Sequence, residues 1–245
     1  MITKTIQLDL KLPTEPTKSK STFKGCLCLF YGAPGVGKTT FVNNLTAKKV
    51  LFISTDRGTR YLETMRVECN SWKKLQQILT ALKKDHKTYD FICLDHVDDI
   101  CNLAESNVCE EMNIEALGDA DWGKGWKLYE SKIRKLVQDL LSLSLGVVFI
   151  SHEVTRTNRS RTLELEVTMP ALSKAAGKVI IPMCEIVGYI SVRVMRNAEK
   201  QKVNRHVLQT QPKEELYCKD RTDRRKNSKD YELLNAEEFL KTFEV

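Results

Sequence analysis

The sequence predicts an α/β protein: a mainly parallel β-sheet flanked by helices, with a C-terminal antiparallel hairpin extending the sheet. Three observations carry that expectation. Short apolar runs at 26–31, 50–54, 91–94 and 147–150 alternate with segments of helical spacing, the pattern of right-handed strand–helix–strand crossovers. Each run ends on polar or glycine-rich residues, so a parallel sheet would bring those ends to one edge. After residue 185 the pattern changes, and 186–194 and 203–209 alternate apolar and polar residues around a polar turn.

The elements follow in order. Residues 1–21 hold Pro13, Pro16 and a Thr/Ser/Lys-rich run and read as an extended N-terminal arm. The core is expected over 22–225, and a C-terminal tail with a short helix over 226–245. The first strand, 26–31, leads into a helix over 38–47, and 50–54 forms the second. Leu75, Ile78, Leu79 and Leu82 give 71–84 a helical stripe. The strand at 91–94 precedes a polar helix from Val97 to about Leu117. The Gly-punctuated stretch Asp121–Trp126 then opens an amphipathic helix to about Leu143, before the fourth strand.

Composition is that of a globular chain, and no apolar stretch approaches the roughly 20 residues of a membrane span. With no signal-peptide pattern, a cytoplasm is the expected location, that of the host cell if a phage encodes the chain. The eight cysteines form no C-x-x-C pair and no zinc spacing, which fits reduced thiols. Net charge is +7 and unevenly spread. Residues 90–121 hold ten acids and no Lys or Arg, whereas 193–229 hold twelve Lys/Arg. Such polarity suits head-to-tail subunit contact or polyanion binding.

Residues Gly32, Ala33, Pro34, Gly35, Val36, Gly37, Lys38 and Thr39 complete a G-x-x-x-x-G-K-[ST] loop between the first strand and first helix. The glycines let backbone N–H groups curl into an anion nest, and the helix adds its positive end, with Thr40 in its first turn. Lys38 is expected on the β- and γ-phosphates of a nucleoside triphosphate, and Thr39 on Mg2+. Asp95, ending the third strand, fits the second Mg2+-organising position, with Asp98 or Asp99 as fallback. Asp56, ending the second strand, is the candidate to activate water; an Asp-Arg-Gly turn is its bland alternative. His152, ending the fourth, is read either as a contact to the γ-phosphate or as a structural histidine.

The set Gly-Ala-Pro-Gly-Val-Gly-Lys-Thr-Thr, Ser-Thr-Asp-Arg-Gly-Thr-Arg, Phe-Ile-Cys-Leu-Asp, Trp-Gly-Lys-Gly-Trp, Ile-Ser-His-Glu and Cys-Lys-Asp-Arg-Thr resembles the RecA-like ATPases of bacteriophages. These are described as phage nucleotide-binding or single-strand annealing recombinase-like proteins. The resemblance spans about residues 22–225. It implies a RecA-like core, ATP with Mg2+, single-stranded DNA binding, and assembly into rings or filaments, with a single-strand-binding protein as a further partner. It also implies that Lys38 and Thr39 bind phosphate and metal, that Asp95 organises the metal, and that His152 senses the γ-phosphate. Lys219 and Arg221 match the basic pair that completes a neighbour's site as trans-acting fingers; a solvated basic tail is the alternative. Where the family usually has Glu, this chain has Asp56, one methylene shorter, so slow hydrolysis is expected.

Two segments are expected to meet DNA. The basic loop 155–161 follows His152 directly, and its Arg156, Arg159 and Arg161 suit phosphates. Trp122 and Lys124, with Trp126, suit stacking on unpaired bases, although the tryptophans equally suit anchoring of the following helix. Two other functions stand beside an ATP-dependent DNA-binding protein. A small-molecule kinase would need an acceptor site and an Arg-bearing lid, neither of which is marked. A nucleotide-gated assembly module with little hydrolysis fits the Asp56 departure. GTPase chemistry lacks its N-K-x-D motif.

Overall fold

The structure, a computed structural model, describes residues 14–16, 22–47, 49–159, 164–197, 199–222 and 232–243. Most of the expected N-terminal arm therefore lies outside the described residues, as does Arg161. The strands are β1 (Leu27–Tyr31), β2 (Val50–Ser54), β3 (Met65–Glu68), β4 (Phe91–Asp95), β5 (Gly146–Ser151), β6 (Glu153–Arg159), β7 (Glu164–Pro170), β8 (Ile186–Arg196), β9 (Lys202–Gln209), β10 (Lys219–Asp220) and β11 (Glu232–Leu233). The helices are α1 (Lys38–Leu45), α2 (Trp72–Lys84), α3 (Val97–Met112), α4 (Lys124–Leu141), α5 (Lys174–Met183) and α6 (Ala236–Lys241).

The main sheet runs β11-β9-β8-β1-β5-β4-β2-β3, with β10 paired to β8 as well. Every pairing from β8 to β3 along this order is parallel. The pairs β8–β9, β9–β11 and β8–β10 are antiparallel. Strands β1, β2 and β5 are buried throughout, which is why they read as unbroken apolar runs rather than alternating ones. Two apolar layers sandwich the sheet. One packs α2, α3, α4 and α5 through residues such as Leu75, Ile100, Tyr129, Ile133 and Ala176. The other packs α1 and α6 through Phe41, Val42, Leu45 and Phe239.

Helix ends follow local chemistry. Ser71, Ser173 and Asn235 cap α2, α5 and α6 by accepting backbone N–H bonds. Helix α3 stops at Met112, short of the expected Leu117, because Asn113 takes a left-handed conformation (φ 50°) and closes the last turn. Helix α1 likewise ends at Leu45, where the Thr46 hydroxyl bonds back to the Val42 carbonyl.

The largest correction concerns 155–161. Residues 153–159 form strand β6 rather than a loop, paired antiparallel with β7 in a separate two-stranded ribbon. The β-branched Val154, Thr155 and Thr157 and the alternation from Glu164 to Met169 are strand signals that the arginines obscured.

Candidate functional site

The loop Gly32–Gly37 joins β1 to α1 at the carboxyl edge of the sheet. Gly37 caps α1 in a left-handed conformation (φ 89°) that a side chain would strain. A Cβ on Gly32 would meet the Ile190 carbonyl oxygen at 2.1 Å, so the loop is pressed against β8. From β9, His206 Nδ1 lies 2.9 Å from the Val36 carbonyl oxygen; a carbonyl only accepts, so this nitrogen carries the hydrogen. Lys38 is buried, and its ammonium donates to the carbonyls of Gly32 (2.8 Å) and Ala33 (3.0 Å). Burial lowers its pKa, opposed by the carboxylates of Asp95, Asp98, Glu153 and Asp56.

Thr39 Oγ1 donates to Asp95 Oδ2 at 3.1 Å, linking the first turn of α1 to the end of β4. Asp95 is fully buried, and burial pushes its carboxyl above the usual range; His96 opposes the shift and Asp56 adds to it. His96 Nε2 lies 3.3 Å from Asp95 Oδ1 but without hydrogen-bond alignment, which leaves that buried oxygen without a hydrogen-bond partner. An unsatisfied carboxylate oxygen beside a threonine hydroxyl fits a divalent cation, so Thr39 and Asp95 are the residues that would hold Mg2+.

Asp56 is half exposed at the mouth of the same cleft. Its Oδ1 accepts from the Gly58 backbone N–H at 2.9 Å, so the residue forms the turn foreseen as its alternative role. His152 is held by Asp98, which accepts from its ring Nδ1 (2.7 Å) and from its backbone N–H (3.3 Å). The His96 and His152 rings stack at 4.0 Å. Asp99, the other fallback, accepts from the Thr55 hydroxyl at 3.0 Å, and Thr55 in turn accepts from the His96 N–H at 3.1 Å. Both fallback carboxylates thus hold neighbouring groups in position. Lys38, Thr39, Thr40, Asp56, His96 and His152 line one cleft of about 390 Å3 with Pro34, Gly35, Gly37 and Tyr61.

Other expected residues lie elsewhere. Lys219 sits on β10, and its ammonium donates to the carbonyls of Ile181 (2.8 Å), Pro182 (3.2 Å) and Cys184 (2.5 Å), capping the end of α5. Three carbonyls thus hold that ammonium at the end of α5. Arg221, two residues on, is exposed. Arg156 donates to the Leu172 carbonyl and so ties β6 to the segment that follows β7. Arg159 ends β6, opposite Glu164. Trp122 is 91% exposed on a left-handed backbone (φ 56°), with Lys124 exposed beside it, so it does not anchor the next helix; Tyr129 and Ile133 do.

Sequence reasoning missed His96 and His206. His96 directly follows Asp95, so its place beside the site was readable; His206 lies 170 residues from Val36 and carried no signal.

The loop threonine paired with a strand-end aspartate places the chain among P-loop nucleotide-binding proteins. Residues 24–222 match the family model described as AAA domain, and the chain belongs to that family. No curated protein matches it closely enough to count as a relative. Solved structures with a similar trace include a KaiC-like protein from the hyperthermophilic archaeon Pyrococcus horikoshii OT3, at 14% identity and TM-score 0.45, covering 76% of this chain and 78% of that one. Another is the RadB recombinase, at 15% identity and TM-score 0.42, covering 75% of this chain and 87% of that one. Among the described residues, no helix is long and apolar enough to cross a membrane.

Proposed function

We propose that this protein is an ATPase that binds single-stranded DNA, assembles with copies of itself, and acts in phage DNA recombination, annealing or replication. The observation that carries the ATPase reading is the Thr39–Asp95 hydrogen bond beneath a loop whose lysine is buried and ready to exchange carbonyls for phosphates. In this reading the backbone N–H groups of the loop and Lys38 hold the β- and γ-phosphates. Thr39 and Asp95 would hold Mg2+, which when bound offsets phosphate charge. Asp56 orients the attacking water and accepts its proton as ADP and phosphate form. His152, its ring fixed by Asp98, donates to the γ-phosphate from Nε2 as the imidazolium, the form in which both ring nitrogens carry hydrogen.

DNA binding is supported by the exposed Trp122 and Lys124, which offer an aromatic face and a charge to an unpaired base. Arg221, exposed beside the committed Lys219, remains the finger candidate. One observation favours a second reading, a nucleotide-gated assembly module with slow turnover: the Asp56 carboxylate is already tied to Gly58.

The test is ATP hydrolysis with and without single-stranded DNA, using Lys38→Ala as the blank. Stimulation by DNA that vanishes in the variant supports the ATPase reading. A rate equal to the blank in both conditions, with ATP still bound, supports the module.

A further inference from the structure

His96 puts a buried ring into the wall of the phosphate cleft, beside the carboxylate assigned to the attacking water. Three contacts fix it. Its backbone N–H donates to the Thr55 hydroxyl at 3.1 Å, and that hydroxyl donates to Asp99 at 3.0 Å. Its ring lies against the His152 ring, with centroids 4.0 Å apart, and Asp98 holds His152 in turn. Its Nε2 lies 3.3 Å from Asp95 Oδ1. Nδ1 is different. It is buried without a hydrogen-bond partner among the described residues, and Asp56 Oδ2 lies 3.8 Å from it. The turn at Gly58 uses the other Asp56 oxygen, Oδ1.

We propose that His96 Nδ1 and Asp56 Oδ2 together hold the water that attacks the γ-phosphate, which makes His96 a second catalytic residue for hydrolysis. The proposal rests on the ATPase reading above. Atoms 3.8 Å apart do not bond directly, yet one water oxygen reaches both at about 2.8 Å. Asp95 sets which ring nitrogen carries hydrogen. A carboxylate oxygen beside Nε2 favours the hydrogen there, so Nδ1 presents a lone pair. The water then donates one hydrogen to Oδ2 and the other to Nδ1, and its own lone pair is left for phosphorus. A buried ring nitrogen without a partner is unfavourable, and this water relieves it.

The step balances with His96 unchanged. As the water oxygen bonds to the γ-phosphorus, the bond from that phosphorus to the bridging oxygen breaks, and its electron pair leaves with ADP. The proton facing Oδ2 passes to the Asp56 carboxylate. The hydrogen facing Nδ1 stays on the oxygen and leaves with phosphate. Held by Asp56 alone, the water would turn about a single hydrogen bond; a second acceptor on a ring locked between Thr55 and His152 removes that freedom.

The experiment compares two substitutions in the full chain, by ATP turnover at saturation and by calorimetric ATP titration, both with Mg2+. His96→Phe keeps a ring to lie against His152 but has no acceptor. His96→Asn loses the ring and keeps an acceptor oxygen close to the place of Nδ1. The expected result is a turnover about tenfold or more lower in the Phe variant with ATP affinity unchanged, and an Asn variant several-fold faster than the Phe variant. His96→Leu, smaller and equally without an acceptor, takes the place of the Phe variant if that chain does not fold. A Phe or Leu variant as fast as wild type, the reverse ranking, or a loss confined to ATP affinity overturns the proposal, since each assigns the ring to packing or binding. Lys38→Ala is the separate control: a wild-type turnover no higher than that of Lys38→Ala ends the ATPase reading itself, and this inference with it.

Discussion

Asp98 accepts from both the backbone N–H and the ring Nδ1 of His152, at 3.3 and 2.7 Å, so a helix residue sets the orientation and tautomer of a strand-end histidine. Asn in place of Asp98 keeps the size but loses the carboxylate that selects the Nδ1–H form. Asp98→Asn should lower the turnover number by about tenfold or more while moving ATP affinity little. Steady-state kinetics beside direct nucleotide titration separates the two; equal loss in both would mean that Asp98 serves binding rather than orientation.

Asp56 divides its carboxylate between the turn at Gly58 and the cleft. Glu at this position gives up the short turn bond and extends the carboxylate by one methylene toward the water. Asp56→Glu is expected to raise the hydrolysis rate, and Asp56→Ala to abolish it with ATP still bound. Phosphate-release assays at saturating ATP measure both, and a Glu variant no faster than wild type would disqualify reach as the limitation.

Asp95 stabilises the nucleotide-free fold poorly, because burial raises the pKa of its carboxyl. Folding therefore favours the neutral form. The stability this group contributes is full below its ordinary value of 3.8 and is lost as pH rises through the higher folded value. Asp95→Asn should raise the melting temperature of the nucleotide-free protein at neutral pH and abolish Mg2+-dependent ATP binding. Thermal scans with and without Mg2+-ATP test the pair of effects, whose signs must be opposite.

Lys219 and Arg221 should part company when mutated. Lys219→Met removes three bonds to the end of α5 and is expected to cost about 1 kcal/mol of stability. For a chain this long that corresponds to a melting point lower by about 2–4 °C. Arg221→Ala should leave melting and ATP affinity intact and remove the rise of turnover with protein concentration. Unchanged turnover at high concentration would end its candidacy as a finger.

The thiols offer a check on the packing itself. Burial pushes Cys101, Cys184 and Cys218 up to about 12, and Cys109 is the only cysteine of the eight not fully buried. Brief alkylation of the native protein should add one label, at Cys109, and the unfolded chain should take eight. Mass spectrometry reads the count directly.

The features legible in the chain before folding are those that depend on neighbours along it. The phosphate loop is legible because its backbone conformation needs particular residues at contiguous positions. The central strands are legible because burial on both faces demands unbroken apolar runs. The hairpin β8–β9 is legible because half of it alternates between core and solvent. The 153–170 ribbon lies at the limit of that rule, since its strand alternation is overlaid by the charges of Arg156, Arg159 and Arg161. Which partner each polar side chain takes depends instead on the packed fold. Asp98 accepts from His152, Lys219 donates to the carbonyls at the end of α5, and His206 reaches the phosphate loop from a distant strand. A hydrogen bond forms only within about 3 Å, and that distance is set by strand order and register across the sheet, which no local stretch of sequence encodes.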